Sequence, residues 1–453
     1  MIPATSAHLL ADYYRCPEDL VEFVVAGRLS AEQGYFRFGD NAVCYGRSGN
    51  GTRQDRVGET LYDVLADTQV EEGRVDLRFD PSEVVDNLRL ERYPHHGLSG
   101  RDRLLKKIYY WLRPLTTRSM RRWIQRFHAR KWRDIGFPAW PVDTSVDNIC
   151  ERLMLLATEA AGENGVPFVW FWPNGNRGCV LMTHDVEGRE GRDFCHELLD
   201  IDEAFGIKAS FQIVPEQRYT VPPELVASIR GRGFEIAIQD LNHDGRIFDN
   251  REEFLRRIAR VHRYAAEYGA KGFRAAVLYR NPDWYSSLQF SFDMSMPNVA
   301  RLDPQRGGCC TVMPYFIGDI LELPVTTTQD YTLFHILNER SIDLWKLQTQ
   351  TILQKNGLVS FIVHPDYITE HDTRAVYESL LGYLKDLSRS VPLWFALPSE
   401  IDSWWRARSQ MSVVKEGDAW RIVGKGSERA ALAFARKSEG KLVYELTQAA
   451  AVA

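Results

Sequence analysis

Four short apolar runs in this chain end abruptly in side chains that can move protons or hold a cation. Cys179-Val180-Leu181-Met182 leads into Thr183-His184-Asp185-Val186-Glu187-Gly188. Gly233-Phe234-Glu235-Ile236-Ala237-Ile238 leads into Gln239-Asp240-Leu241-Asn242-His243-Asp244-Gly245. Lys271-Gly272-Phe273 leads into Arg274, and Leu358-Val359-Ser360-Phe361-Ile362-Val363 into His364-Pro365-Asp366-Tyr367. Unpaired carboxylates are costly to bury, and a buried parallel strand reads as a continuous apolar run. The ionisable tails therefore belong at strand mouths, where a barrel or an open α/β sheet gathers its chemistry. Taken singly, each residue has a plainer reading: loop-capping acids for Asp185 and Glu187, a surface histidine for His243, a strand-ending histidine for His364, an ion-pair partner for Arg274. Five such residues at successive mouths point instead to one pocket suited to general acid–base work.

For these mouths to converge, the sheet that carries them must be parallel. Strands are expected over 208–214, 233–238, 272–274, 290–293, 320–325, 358–363 and 393–396. Helical periodicity falls between them, over 194–205, 223–232, 251–268, 342–355 and 373–388. This β-then-α rhythm predicts an α/β fold, an irregular (β/α) barrel of about seven strands. Four parts follow: an N-terminal α+β region over 1–100, a basic amphipathic helical linker over 101–140, the barrel over 141–405, and a small β module over 412–450.

The motifs resemble the polysaccharide deacetylase family, the NodB-homology or carbohydrate esterase 4 group. Thr183-His184-Asp185-Val186-Glu187-Gly188 resembles its first motif, which implies that Asp185 is the catalytic base and Glu187 a metal ligand. The 233–243 stretch resembles the second motif and makes His243 a second ligand. Gly272-Phe273-Arg274-Ala275-Ala276 resembles the third, keeping the arginine that holds the base and losing its proline. Phe361-Ile362-Val363-His364 resembles the last, with His364 as general acid. The resemblance implies an amide-cleaving hydrolase that removes acetyl groups from an N-acetylated sugar, in a surface polysaccharide or a lipid- or nucleotide-linked glycan precursor. It also implies a Zn²⁺ ion, or Co²⁺ or Ni²⁺ in its place, polarising the acetyl carbonyl. Asp240, Asp244, Asp366 and Tyr367, beside the motifs, are expected to meet substrate. One departure stands out: Gln239 occupies the place of the family's first ligand histidine, and an amide oxygen is a weaker ligand than imidazole for Zn²⁺. Asp240, Asp244 or His184 are the nearby substitutes. A degenerate barrel that binds a glycan or a partner is the alternative reading, and an amidohydrolase for a small C–N substrate a third.

Composition frames these expectations. The chain has 453 residues, too many for one ordinary core, and its 44% hydrophobic and 26% charged content is that of a globular protein. Seven scattered cysteines without a C-x-x-C pair form no disulfide framework. The first residues show neither a basic start nor a long apolar core, and no apolar run reaches transmembrane length, so a cytoplasmic location is expected. Residues 101–133 carry twelve Lys or Arg against the single acid Asp102, interleaved with aromatic and aliphatic side chains. Such a segment suits an acidic face of its own protein, or peripheral contact with an anionic membrane surface. Nucleic acid is not expected, because no nucleic-acid module accompanies it. No oligomeric state is legible.

Overall fold

The computed structural model describes residues 6–49, 54–58, 60–94, 132, 135–162 and 165–447. Most of the expected basic linker, 101–131 and 133–134, lies outside the described residues.

The N-terminal region is mixed α+β. Helix α1 (Ser6–Tyr14) precedes strands β1 (Glu22–Val25), β2 (Gly34–Arg37), β3 (Val43–Gly46), β4 (Gln69–Glu71) and β5 (Arg74–Leu77). Helix α2 (Pro81–Arg89) follows. It starts where Asp80 accepts hydrogen bonds from the Ser82 and Glu83 amides and where Pro81 presets the first turn. Helix α3 (Ser145–Ala161) and strand β6 (Val166–Val169) lead into the barrel.

The barrel sheet has the order β12-β13-β11-β10-β9-β8-β7-β14, with β15 also pairing β7. Its strands are β7 (Gly178–Val186), β8 (Ala209–Ile213), β9 (Glu235–Gln239), β10 (Gly272–Arg274), β11 (Phe292–Asp293), β12 (Tyr315–Ile317), β13 (Ile320–Glu322), β14 (Leu358–Val363) and β15 (Leu393–Phe395). All pairings are parallel except that of the edge strand β12 with β13. The result is an α/β fold built on a curled parallel sheet, as the rhythm of the sequence predicts. Every residue of β7 is buried, which accounts for its unbroken apolar start.

The outer helices are α4 (Arg189–Ala204), α5 (Pro223–Gly231), α6 (Arg251–Tyr268), α7 (Asp343–Gln354), α8 (His371–Leu387) and α9 (Pro398–Ser409). Helix α6 is bounded by an Asn250 cap on the Glu253 amide, at 2.9 Å, and by Gly269 in the left-handed region. Helix α4 begins five residues before the expected start, because its first turn is polar and bonded to a loop acid rather than packed in the core.

The C-terminal strands do not form one sheet. Strands β16 (Ser412–Glu416) and β17 (Ala419–Val423) form a hairpin, whereas β18 (Leu432–Ser438) pairs with both β19 (Lys441–Leu446) and β6. Residues from both chain ends thus share one core with α3, separate from the core of the barrel helices. Buried Arg408 on α9 stitches the parts together by donating to the carbonyls of Tyr13, Val169 and Trp170. A buried Arg280–Glu91 ion pair ties the N-terminal region to the loop after β10. Among the described residues no helix is long and apolar enough to cross a membrane.

Candidate active site

Strand parity decides which motif side chains meet. Successive side chains of a strand face opposite sides of the sheet. On β7, Thr183 and Asp185 point one way and His184 the other. The His184 ring lies fully buried, 2.9 Å from Asp202 on α4, and the Tyr377 hydroxyl of α8 donates to the same carboxylate at 2.5 Å. His184 therefore locks sheet to helices and is no substitute ligand.

Inside the barrel, Asp185 pairs with Arg274, whose Nη1 donates to Asp185 Oδ1 and, at 2.8 Å, to Thr183 Oγ1. Arg274 Nε donates to the Met294 carbonyl at 3.0 Å. The guanidinium is completely buried, and the β9–β10 register sets Arg274 beside Gln239. Gln239 Nε2 donates to Asp185 Oδ2 at 2.9 Å and leans toward Glu187 Oε1 at 3.4 Å. The reverse amide orientation would press an oxygen against two carboxylates. As it stands, the buried amide oxygen of Gln239 has no hydrogen-bond partner.

Glu187 links the base to the imidazoles. Its Oε1 lies 2.7 Å from His243 Nε2 and 3.4 Å from His364 Nε2. Burial pushes the Glu187 carboxyl up, but the two imidazoles outweigh it and hold the group well below the usual carboxylate range. For His243, burial opposes the charged form and Glu187 prevails, raising it. His364 is held well above the ordinary histidine value: burial works against the proton, while Asp330 and then Glu187 more than compensate. Asp330 accepts from the His364 backbone N–H at 2.7 Å, and its Oδ1 lies 2.6 Å from Nδ1. That bond fixes the ring and leaves Nε2 facing the pocket.

The expected substrate contacts divide. Tyr367 stays at the site, its ring 4.9 Å from that of His364, and burial pushes its phenol well above the usual range. Asp240 is fully buried in the left-handed region, where burial pushes it up to about 6. Asp244 is engaged elsewhere: it takes two bonds from Arg257, at 2.7 and 2.9 Å, and caps the Arg246 amide. Asp366 is engaged too, accepting the N–H groups of Glu187, Gly188 and Gly191 at 3.1 to 3.2 Å, at the N-terminus of α4. A Cβ at Gly188 or Gly191 would lie 2.4 or 2.2 Å from that carboxylate, so both glycines are required for the approach. Asp366 thus orients the Glu187 backbone, and neither Asp244 nor Asp366 offers a free carboxylate to a ligand.

Sequence reasoning missed Thr183 and Asp330. Thr183 sits in the first motif but reads as a strand residue. Asp330 lies five residues past the expected 320–325 strand, behind Thr326-Thr327-Thr328-Gln329, so no apolar run ends at it as one ends at the other motifs.

The donor set fits a divalent cation. Oxygen and nitrogen atoms of Asp185, Glu187 and His364 lie within 4.8 Å of one another. His243 joins through Glu187; neither of its ring nitrogens makes an aligned hydrogen bond, although Nε2 is in contact with a carboxylate. Together these side chains offer mixed O and N ligands of the kind Zn²⁺, Co²⁺ and Ni²⁺ accept.

No family model matches the chain, and no curated protein matches it in sequence. Solved structures do align. A Mycobacterium smegmatis protein described as a polysaccharide deacetylase shares 19% identity over 55% of this chain and 96% of its own, with a TM-score of 0.45. An allantoinase shares 13% over 55% and 95%, with a TM-score of 0.42. A Pseudomonas aeruginosa PAO1 protein, also described as a polysaccharide deacetylase, shares 14% over 52% and 93%, with a TM-score of 0.40.

Proposed function

We propose that this chain is a metal-dependent deacetylase that hydrolyses the acetamido group of an N-acetylated sugar, in a surface polysaccharide or a glycan precursor. One observation carries the reading: a carboxylate held by a buried arginine, a carboxylate between two imidazoles, and a histidine backed by a buried aspartate share one pocket. Glu187 and His243 would hold the ion, and Gln239 would add its oxygen only by turning over the amide that now donates to Asp185 and Glu187. When bound, a divalent cation polarises the acetyl carbonyl and acidifies the attacking water.

The protein's own groups supply the proton transfers. Asp185, fixed by Arg274 and the Gln239 amide, accepts a proton from water as it attacks the carbonyl carbon. The C–N bond then breaks, and His364 donates its Nε2 proton to the departing amine. Asp330 keeps the ring oriented and stabilises its charged form. Acetate and the free amino sugar leave, and the proton on Asp185 returns to solvent or His364.

The test is metal analysis and acetate release after loading with Zn²⁺, Co²⁺ or Ni²⁺. The expected result is one bound ion per chain, lost in Glu187→Gln, with acetate released from N-acetylated saccharides. No bound metal together with no acetate release refutes the reading. The Gln239 amide, bridging Asp185 and Glu187 where a ligand histidine is expected, favours one second reading, a binding cleft without catalysis. Gln239→His separates the two: metal and activity gained only in that variant mark the native chain as degenerate.

A further inference from the structure

His184 faces away from the pocket, yet its ring reaches the backbone that carries the opposite half of the site. The β7–β14 pairing ends at the His184–Val363 register pair. The next residue on each strand is a proton-transfer group, Asp185 on one and His364 on the other. At this last rung His184 Nδ1 lies 3.2 Å from the Val363 carbonyl. The N–H of the same peptide unit, that of His364, donates to Asp330 Oδ2 at 2.7 Å. The peptide from which the His364 side chain hangs is thus gripped at both ends, by Asp330 and by His184. Being planar, it is fixed as a unit.

The other ring nitrogen is anchored from outside the sheet. Nε2 lies 2.9 Å from Asp202 Oδ2, and the Tyr377 hydroxyl donates to Asp202 Oδ1 at 2.5 Å. Both nitrogens face acceptors, and only a ring with a hydrogen on each satisfies both. Phe211 packs beside the ring, 5.0 Å between centroids. His184, Asp202, Tyr377 and Val363 are all fully buried, so water does not compete for these bonds. The line from Tyr377 through Asp202 and His184 to Val363 therefore joins α8, α4, β7 and β14. It begins among the outer helices and ends one residue short of His364.

We propose that His184 is a positioning residue: by holding the Val363 carbonyl it sets where the His364 ring stands relative to Asp185. Two groups that pass protons in one reaction have to keep their spacing, and a misplacement of about 1 Å can cost about a hundredfold in rate. Asp330 orients the ring, and His184 places the peptide behind it. Asp202 and Tyr377 act one step further out, keeping the His184 ring from swinging off the carbonyl. The catalytic consequence rests on the deacetylase reading; the coupling of His184 to His364 does not.

Amide side chains separate the two bonds of the ring. In His184→Gln the amide nitrogen reaches the place of Nε2, keeping Asp202 and losing Val363; in His184→Asn it takes the place of Nδ1 and keeps Val363. In the metal-free full chain, the short bond between His364 Nδ1 and Asp330 is read as a downfield proton resonance, assigned by its loss in His364→Gln. That resonance moves in His184→Gln and returns toward its wild-type position in His184→Asn. With Zn²⁺ and an N-acetylated saccharide, His184→Gln loses about tenfold in kcat with KM within about twofold, and His184→Asn restores most of the loss. Val261→Ala, a buried truncation on α6, is the control for lost stability and keeps the wild-type kcat. An unmoved resonance in folded His184→Gln, equal measurable kcat in the two His184 variants, or an equal loss in Val261→Ala overturns the proposal. Should both His184 variants lose their fold by circular dichroism, Tyr377→Phe, which loosens Asp202, has to move the same resonance or the proposal fails. A moved resonance in a chain that releases no acetate upholds the coupling and refutes only the deacetylase reading.

Discussion

Arg274→Met removes the charge that faces Asp185 while keeping most of the buried stem volume. The native guanidinium is fully buried and reaches three acceptors: Asp185, Thr183 and the Met294 carbonyl. Breaking a buried ion pair from one side costs about 3–5 kcal/mol, because the remaining charge is stranded. With two further hydrogen bonds lost, about 4 kcal/mol is expected for Arg274→Met. Asp185→Asn strands the arginine less completely, since Thr183 and Met294 still accept from it; about 2 kcal/mol is expected. In the double variant neither charge is stranded, so the two losses should fall short of their sum by about 2–3 kcal/mol. Urea denaturation of the metal-free wild type, both singles and the double measures this coupling directly. Additivity within about 0.5 kcal/mol would refute the pairing and, with it, the way the base is held.

Two further perturbations probe the scaffold behind the site. Gly191→Ala puts a methyl group 2.2 Å from Asp366 Oδ2, so it should cost about 1–3 kcal/mol in thermal or urea unfolding and weaken metal retention by moving Glu187; an unchanged midpoint would show that Asp366 does not anchor this turn. Glu322 faces Asp293 across β13 and β11, both fully buried. Burial, then Asp293, pushes the Glu322 carboxyl well above its ordinary value near 4.5. A raised folded pKa means stability that is present below pH 4.5 and lost as pH rises through the folded value. Glu322→Gln should therefore flatten the alkaline side of the stability–pH curve, and an unaltered curve would show that the pair does not share a proton.

Much of this was legible in the sequence, and the exceptions share a physical cause. Helix α6 was readable over its whole length because its cap, its apolar face and its terminal glycine are all local signals. Asp185, Arg274 and His364 were readable because each ends an apolar run. Asp330 was not, because it serves His364 from 34 positions away along the chain, after a run of threonines whose hydroxyls bond across the barrel seam rather than marking a strand. Asp366 looked like a substrate contact, since its true partners are backbone N–H groups that leave no trace in side-chain patterns. Two glycines three apart, Gly188 and Gly191, were the available signal. Period-two parity alone could have turned His184 away from the pocket. The pairing of β18 with β6 joins segments some 265 positions apart, and nothing local specifies it.

The charges around Gln239 explain how one amide can stand where imidazole is expected. Asp185 is matched by Arg274, and Asp330 by His364. Glu187 has His243 in closest contact, so each acid already faces a basic side chain. A neutral amide that donates to Asp185 and leans toward Glu187 fits this balance without adding charge. A divalent ion entering the same space brings two more positive charges, and histidine ligates it only as neutral imidazole. Binding therefore has to displace the Glu187–His243 contact. Under the proposed reading, that competition bears on how tightly the ion is held.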